Sequence, residues 1–104
     1  MTININRLIF SQHFIVERAE RYETIRRIGI GQIVKQQWYN SCWHCLTDTG
    51  VMLVIDEAGN YCMTAYFADW IEVKKFYCGN VPKAIQRRIN RNISYGLTKG
   101  AYKR

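Results

Sequence analysis

The chain contains no run of about 18 apolar residues, the length a membrane-spanning helix needs, so no membrane partner is expected. It also lacks a glycine-rich phosphate loop. Gly29-Ile30-Gly31 comes nearest and is too short to cradle a pyrophosphate. Only half of a zinc ribbon is present: Cys42 and Cys45 have the C-x-x-C spacing, while Cys62 and Cys78 each stand alone. If Cys42 to Leu46 is a strand, alternation puts Cys42 and His44 on one face and Cys45 on the other. That stretch has no Gly or Pro to form a metal knuckle. Free thiols are therefore expected, with no metal and no other cofactor. The opening Met1-Thr2-Ile3-Asn4-Ile5-Asn6-Arg7 lacks the basic-then-apolar grammar of a signal peptide, so a cytoplasmic location is expected, where disulfides are rare. Finally, Lys74 to Arg104 contains no Asp or Glu at all.

What is present fits one domain of 104 residues. Hydrophobic residues make up 48% of it and include three Trp, seven Tyr and four Phe, enough for a packed core in a chain whose size leaves little stability to spare. Fifteen Lys and Arg oppose eight Asp and Glu, giving a net charge of +7 and a pI near 9.5. The excess lies mainly in the acid-free stretch, which carries Lys74, Lys75, Lys83, Arg87, Arg88, Arg91, Lys99, Lys103 and Arg104. A third of a domain with one sign of charge is the footprint of phosphate contacts, and equally a surface for an acidic protein. No linker, repeat or low-complexity segment divides the chain.

Local patterning predicts an α+β fold: N-terminal helices packed on a small antiparallel meander, followed by C-terminal helices. Residues Thr2 to Phe10 alternate weakly and suit an edge strand or an extended lead-in. Ser11 is a good N-cap for a helix over about Gln12 to Tyr22, with Phe14, Ile15, Arg18, Ala19 and Tyr22 on one face. His13, Glu17, Glu20, Arg21 and Thr24 line the neighbouring face. A turn near Arg27 to Gly31 should lead into a second helix with Ile30, Ile33, Val34 and Trp38 as its apolar stripe. The strands that follow argue against a DNA-binding helix-turn-helix. Cys42–Leu46, Val51–Ile55 and Tyr61–Phe67 read as strands, with Thr47 to Gly50 and Asp56 to Asn60 as turns. Strict alternation in the third strand groups Tyr61, Met63, Ala65 and Phe67 against Cys62, Thr64 and Tyr66. Asp69 can cap a helix to about Tyr77. A basic amphipathic helix then runs over about 81–96, with Val81, Ile85, Ile89 and Ile93 inward and the amides Gln86, Asn90 and Asn92 outward. Residues 97–104 read as a mobile tail.

RNA cleavage needs a group to deprotonate the 2′-hydroxyl, a group to protonate the leaving 5′-oxygen, and cations on the phosphate oxygens. Histidine suits the proton transfers because its ordinary pKa lies near neutrality. Arginine suits the phosphate, being planar and always ionised. His13 is the candidate acid or base, and Glu17, four residues on, shares its face. Arg18 lies about 140° around the helix from His13, on the apolar side, where an arginine needs an anionic partner. Arg18, Arg21 and Arg26 are the candidates for the phosphate. Thr64 and Tyr66 share a strand face, and Thr47 or Thr49 adds a hydroxyl at a turn. Lys83, Arg87, Arg88 and Arg91 are candidate nucleic-acid contacts on the last helix. Each feature has a plainer reading: an idle surface histidine at position 13, a packed or stacked ring for His44, a solvated face for the Glu/Arg ladder. A basic helix flanked by aromatic rings also suits binding without cleavage.

The S-x-H-x-x-x-E-R-x-x-R segment from Ser11 to Arg21, followed by T-D-T-G-V, V-I-D-E-A-G-N and T-A-Y-F, resembles the BECR ribonuclease superfamily (barnase, EndoU, colicin and RelE-like) over Ser11 to Phe67. The resemblance implies a toxin-like bacterial or phage hydrolase that cleaves RNA, such as tRNA or mRNA, without metal. It also implies neutralisation by an acidic antitoxin or immunity protein. His13, Arg18 and Thr64 match that superfamily's usual site positions most directly, with Tyr66 next. The basic helix over 81–96 lies outside the pattern.

Overall fold

Val51-Met52-Leu53 is buried along its whole length, not on alternate residues, and so is Cys45-Leu46-Thr47. Strands buried on both sides need cover on both faces, and the fold supplies it. The computed structural model describes residues 2–98, and every structural statement below concerns those residues. A 3-10 turn, Ile5–Arg7, precedes β1 (Ile9–Phe10), α1 (Gln12–Glu17), α2 (Ala19–Ile28), β2 (Ile33–Tyr39), β3 (Cys42–Thr47), β4 (Val51–Ile55), β5 (Tyr61–Phe67), α3 (Trp70–Phe76) and α4 (Lys83–Ser94). The five strands form one sheet in the order β1-β5-β4-β3-β2, antiparallel except for the short parallel pair β1·β5.

The first face carries Cys45, Val51, Leu53, Ile55, Cys62, Ala65 and Phe67, and is covered by Phe14 of α1 and by Tyr22 and Ile25 of α2. Phe10, Phe14 and Tyr22 form an aromatic triangle with ring centroids 5.5 to 6.0 Å apart. The second face carries Leu46, Met52 and Tyr66, and packs against Val73 and Phe76 of α3 and Ile85 and Ile89 of α4.

Several expectations change. The segment expected as a second helix is β2, paired with β3 from Ile33 to Tyr39. Its Ile33, Val34 and Trp38 fit helical spacing by coincidence, because an edge strand has too few buried positions to show a clean alternation. The β2–β3 turn uses Asn40 and Ser41, both left-handed (φ 55° and 65°), which is the backbone of a two-residue hairpin without its usual glycine. The short strand β1 falls at the end of the segment that suits an edge strand, so the helices do not come first in the fold. The first helix breaks at Arg18, whose φ of −129° and ψ of 43° leave the helical region, so Arg18 is exposed and not on the apolar face. A bulge at Met63 pairs Val54 with Thr64 but Ile55 with Cys62, moving Cys62 onto the buried face of Ala65 and Phe67.

Asn92 is also not a solvated amide; it is fully buried, and its Nδ2 donates to the Thr49 carbonyl at 3.0 Å. The tail, expected from 97, begins with a packed residue: Leu97 lies against the first-face core, and its N–H donates to the Asn92 carbonyl. Positions 99–104 lie outside the described residues.

Gly50 is a tight point between the hairpin turn and α4. It adopts φ +82°, and a Cβ there would stand 2.5 Å from Asn92 Nδ2 and 3.1 Å from Ile89 Cδ1. Combining the left-handed penalty with overpacking, Gly50→Ala should lower the unfolding free energy by about 2–5 kcal/mol, read from urea denaturation.

Candidate active site

Strand pairing puts Gln37, Tyr39, His44, Val54, Thr64 and Tyr66 on the second face, in one row with Leu46 and Met52. α3 covers only part of this row. Beneath its free side lies a cavity of about 360 Å³ lined by Gln37, Tyr39, His44, Tyr66, Glu72 and Lys75, with Met52 and Phe76 as its apolar walls. The His44 ring lies 5.6 Å from that of Tyr39, and its Nδ1 is buried with no hydrogen-bond partner. Buried polar nitrogens in folded proteins are nearly always bonded, so this unsatisfied atom is an exception on the cavity wall.

The centre of the site is the Tyr66 hydroxyl, which donates to Glu72 Oε2 at 2.7 Å. Local sequence fixes this contact. Asp69 caps α3 by accepting from the Glu72 N–H at 2.9 Å, and Glu72 Oε1 accepts in return from the Asp69 N–H at 3.3 Å, forming a capping box. The box holds the Glu72 carboxylate at the start of α3, over β5. Burial, and then the adjacent Glu72 carboxylate, push the Tyr66 hydroxyl well above the ordinary tyrosine value, so it stays a neutral donor at working pH.

Tyr66 and Glu72 also wall a second cleft of about 420 Å³, which holds Arg21 and Asp69. β1 pairs only with Tyr61 and Cys62, leaving the C-terminal half of β5 as an open edge, and Arg21 of α2 lines the cleft together with Tyr66 and Phe67 of β5. The Tyr66–Glu72 pair thus separates two clefts, one with Arg21 and the other with His44 and Lys75.

The residues expected at the site divide. Thr64, Tyr66 and Arg21 belong to this region. His13, Glu17 and Arg18 are exposed on α1 and at its end, on the helical layer covering the opposite face of the sheet. Ser11 binds α1 to the β5 edge through the Met63 carbonyl at 2.9 Å, but no hydrogen bond among the described residues joins His13 to Glu17, Thr64 or Tyr66. The Arg18 guanidinium donates to its neighbour's carbonyl, Glu17 O, at 3.3 Å. Arg26 donates to the Tyr22 hydroxyl at 2.8 Å and lies over that ring. Lys83, Arg87 and Arg91 are exposed on α4, and Arg88 is half-buried near Gly50.

Thr47 and Thr49 are structural. Their hydroxyls bond each other at 3.0 Å, Thr49 Oγ1 donates to the Ile30 carbonyl at 2.8 Å, and Thr47 Oγ1 accepts from the Val51 N–H at 3.2 Å. His44, Glu72, Lys75, Gln37 and Tyr39 were not singled out as site residues. The phase of His44 with Leu46 was visible, and so was the D-x-x-E spacing of Asp69 and Glu72. What gives these residues meaning is β2, which the helical reading removed.

Cys42 and Cys45 lie on opposite faces of β3, as alternation requires. No group of three or more potential metal-ligating His, Cys, Asp or Glu forms among the described residues. Cys45 and Cys62 are buried, and burial pushes their thiols up to about 11 and about 12. No protein-family model, no curated protein and no solved structure matches this chain.

Two outcomes follow for the sulfurs. In native protein near pH 8 a thiol reagent should modify Cys78 and Cys42, with Cys45 and Cys62 reacting only after unfolding. Because folding raises both buried pKa values from 9.0, the unfolded chain loses these protons first. Their contribution to stability is complete below pH 9 and declines from about pH 9 to pH 12, which denaturant midpoints across that range will show.

Proposed function

We propose that this chain is a metal-independent ribonuclease centred on the Tyr66–Glu72 pair. The observation that carries this reading is the pair's position between two clefts, with Arg21 in one and His44 and Lys75 in the other. Glu72 accepts the proton of the 2′-hydroxyl, whose oxygen attacks the phosphorus as the bond to the 5′-oxygen breaks. His44 gives that leaving oxygen its proton, and Arg21 and Lys75 hold the charged phosphate oxygens. Tyr66, kept neutral, donates its one O–H proton in a hydrogen bond to Glu72 and so fixes the carboxylate. The products are a 2′,3′-cyclic phosphate and a free 5′-hydroxyl.

The +7 charge favours RNA, with tRNA and mRNA as candidate substrates. The BECR-like order of motifs supports the same chemistry, with His13, Glu17 and Arg18 set aside in favour of the second-face residues. It also supports a toxin-like role in which an acidic antitoxin or immunity protein covers the basic surface. No helix among the described residues is long and apolar enough to cross a membrane, and a cytoplasmic site of action accords with an RNA substrate.

The test is incubation with total tRNA and with a generic single-stranded RNA in excess EDTA. The wild type should cleave, and Glu72→Gln and His44→Ala should each lose about 100-fold or more, the usual scale for acid–base groups. His13→Ala separates the two placements, since loss there would return the centre to α1. No cleavage by folded wild-type protein would contradict the reading.

A second reading, binding without cleavage, has its own observation: Lys83, Arg87 and Arg91 project from α4 while Ile85, Ile89 and Asn92 are buried. If α4 is the principal RNA contact, replacing these three cations with Ala should flatten the salt dependence of single-strand binding by about 2 logarithmic units per decade.

A further inference from the structure

We propose that the His44 cavity is a nucleobase subsite, taking the base of a nucleotide whose phosphate lies at the Tyr66–Glu72 pair. The ribonuclease reading supplies the phosphate's position. The subsite itself rests on the cavity's own lining.

Its volume, about 360 Å³, falls within the range of small-molecule sites. Its walls suit a flat heteroaromatic ring better than an anion. Lys75 and Glu72 offset each other in charge, so the lining carries no net positive charge for an anion. The remaining lining is aromatic and soft, with Tyr39 and Phe76 as rings and Met52 as a polarisable contact. The Tyr39 side chain is 63% exposed, an unusual state for a ring already set edge-on against His44. A base stacked on Tyr39 covers that surface, at an affinity gain of about five- to a hundredfold.

Polar contacts complete the match. Gln37 pairs with His44 across β2 and β3, and both residues line the cavity. An amide presents a donor and an acceptor side by side, the pattern that base edges complement. With a base held here, the sugar is directed toward Tyr66 and Glu72, which line both clefts.

Calorimetric titration of the full chain with AMP, GMP and ribose 5-phosphate tests this directly. At least one nucleotide should bind ten times or more tightly than ribose 5-phosphate, which has the phosphate but no base. Tyr39→Ala should weaken nucleotide binding about tenfold without changing the ribose 5-phosphate result. Tyr39 ends an exposed hairpin strand, and Gln37→Ala provides a second variant should Tyr39→Ala prove poorly folded. Equal binding of all three ligands, or nucleotide affinity unchanged in both variants, overturns the subsite. The two proposals fail separately: nucleotide binding sensitive to Tyr39 in a protein that cuts no RNA upholds the subsite and removes the catalytic reading. Cleavage with wild-type rate and base preference in Tyr39→Ala and Gln37→Ala removes the subsite alone.

Discussion

The turn Thr47-Asp48-Thr49-Gly50 joins all three layers of the fold. Asp48 Oδ1 accepts from the Gln32 N–H at 3.0 Å and Thr49 donates to the Ile30 carbonyl, tying the end of α2 and the start of β2 to the hairpin. On its other side the Thr49 carbonyl accepts from buried Asn92 of α4. The Gly50 carbonyl accepts from the Ala68 N–H at 2.9 Å, which fixes where β5 stops and α3 can begin. With that point set, the Asp69 capping box brings Glu72 over Tyr66. The left-handed Gly50 lets α4 approach this closely, and a side chain there would collide with Asn92. The geometry of the site thus depends on a turn that contributes none of its reactive groups.

The two faces of the sheet are covered unequally, and this inequality creates the site. On the first face α1 and α2 bury an apolar surface continuous from Phe14 to Phe67. On the second, α3 is only seven residues long and covers one end, leaving Gln37, Tyr39 and His44 at the edge of a cavity. Polar groups in that row keep the unoccupied face from being a simple aggregation-prone surface, and they give it chemistry. The charge excess then acts on partner choice and encounter rate rather than on the fold.

Legibility in the sequence followed the strength of each local signal. The three central strands, their Asx- and Gly-containing turns, the Ser11 and Asp69 caps and the inward pair Ile85 and Ile89 of α4 all appear where composition and periodicity put them. Edge strand β2 was missed because its burial is sparse and its turn uses Asn40 and Ser41 in place of glycine. The Met63 bulge reversed the phase of Cys62, which no alternation rule reveals without the partner strand. At the site, Thr64 and Tyr66 were legible from β5 alone. His44, Glu72 and Lys75 required knowing that α3 packs on the second face of the sheet beside β2, and that is a tertiary fact.

The most direct test of the site's location is a heteronuclear NMR titration of isotope-labelled protein with a short single-stranded RNA. Shifts concentrated at Gln37, Tyr39, His44, Tyr66, Glu72, Lys75 and Arg21 are the expected result. Shifts concentrated instead on His13 to Arg18, or confined to Lys83 to Arg91 of α4, would contradict a site on the half-covered face of the sheet.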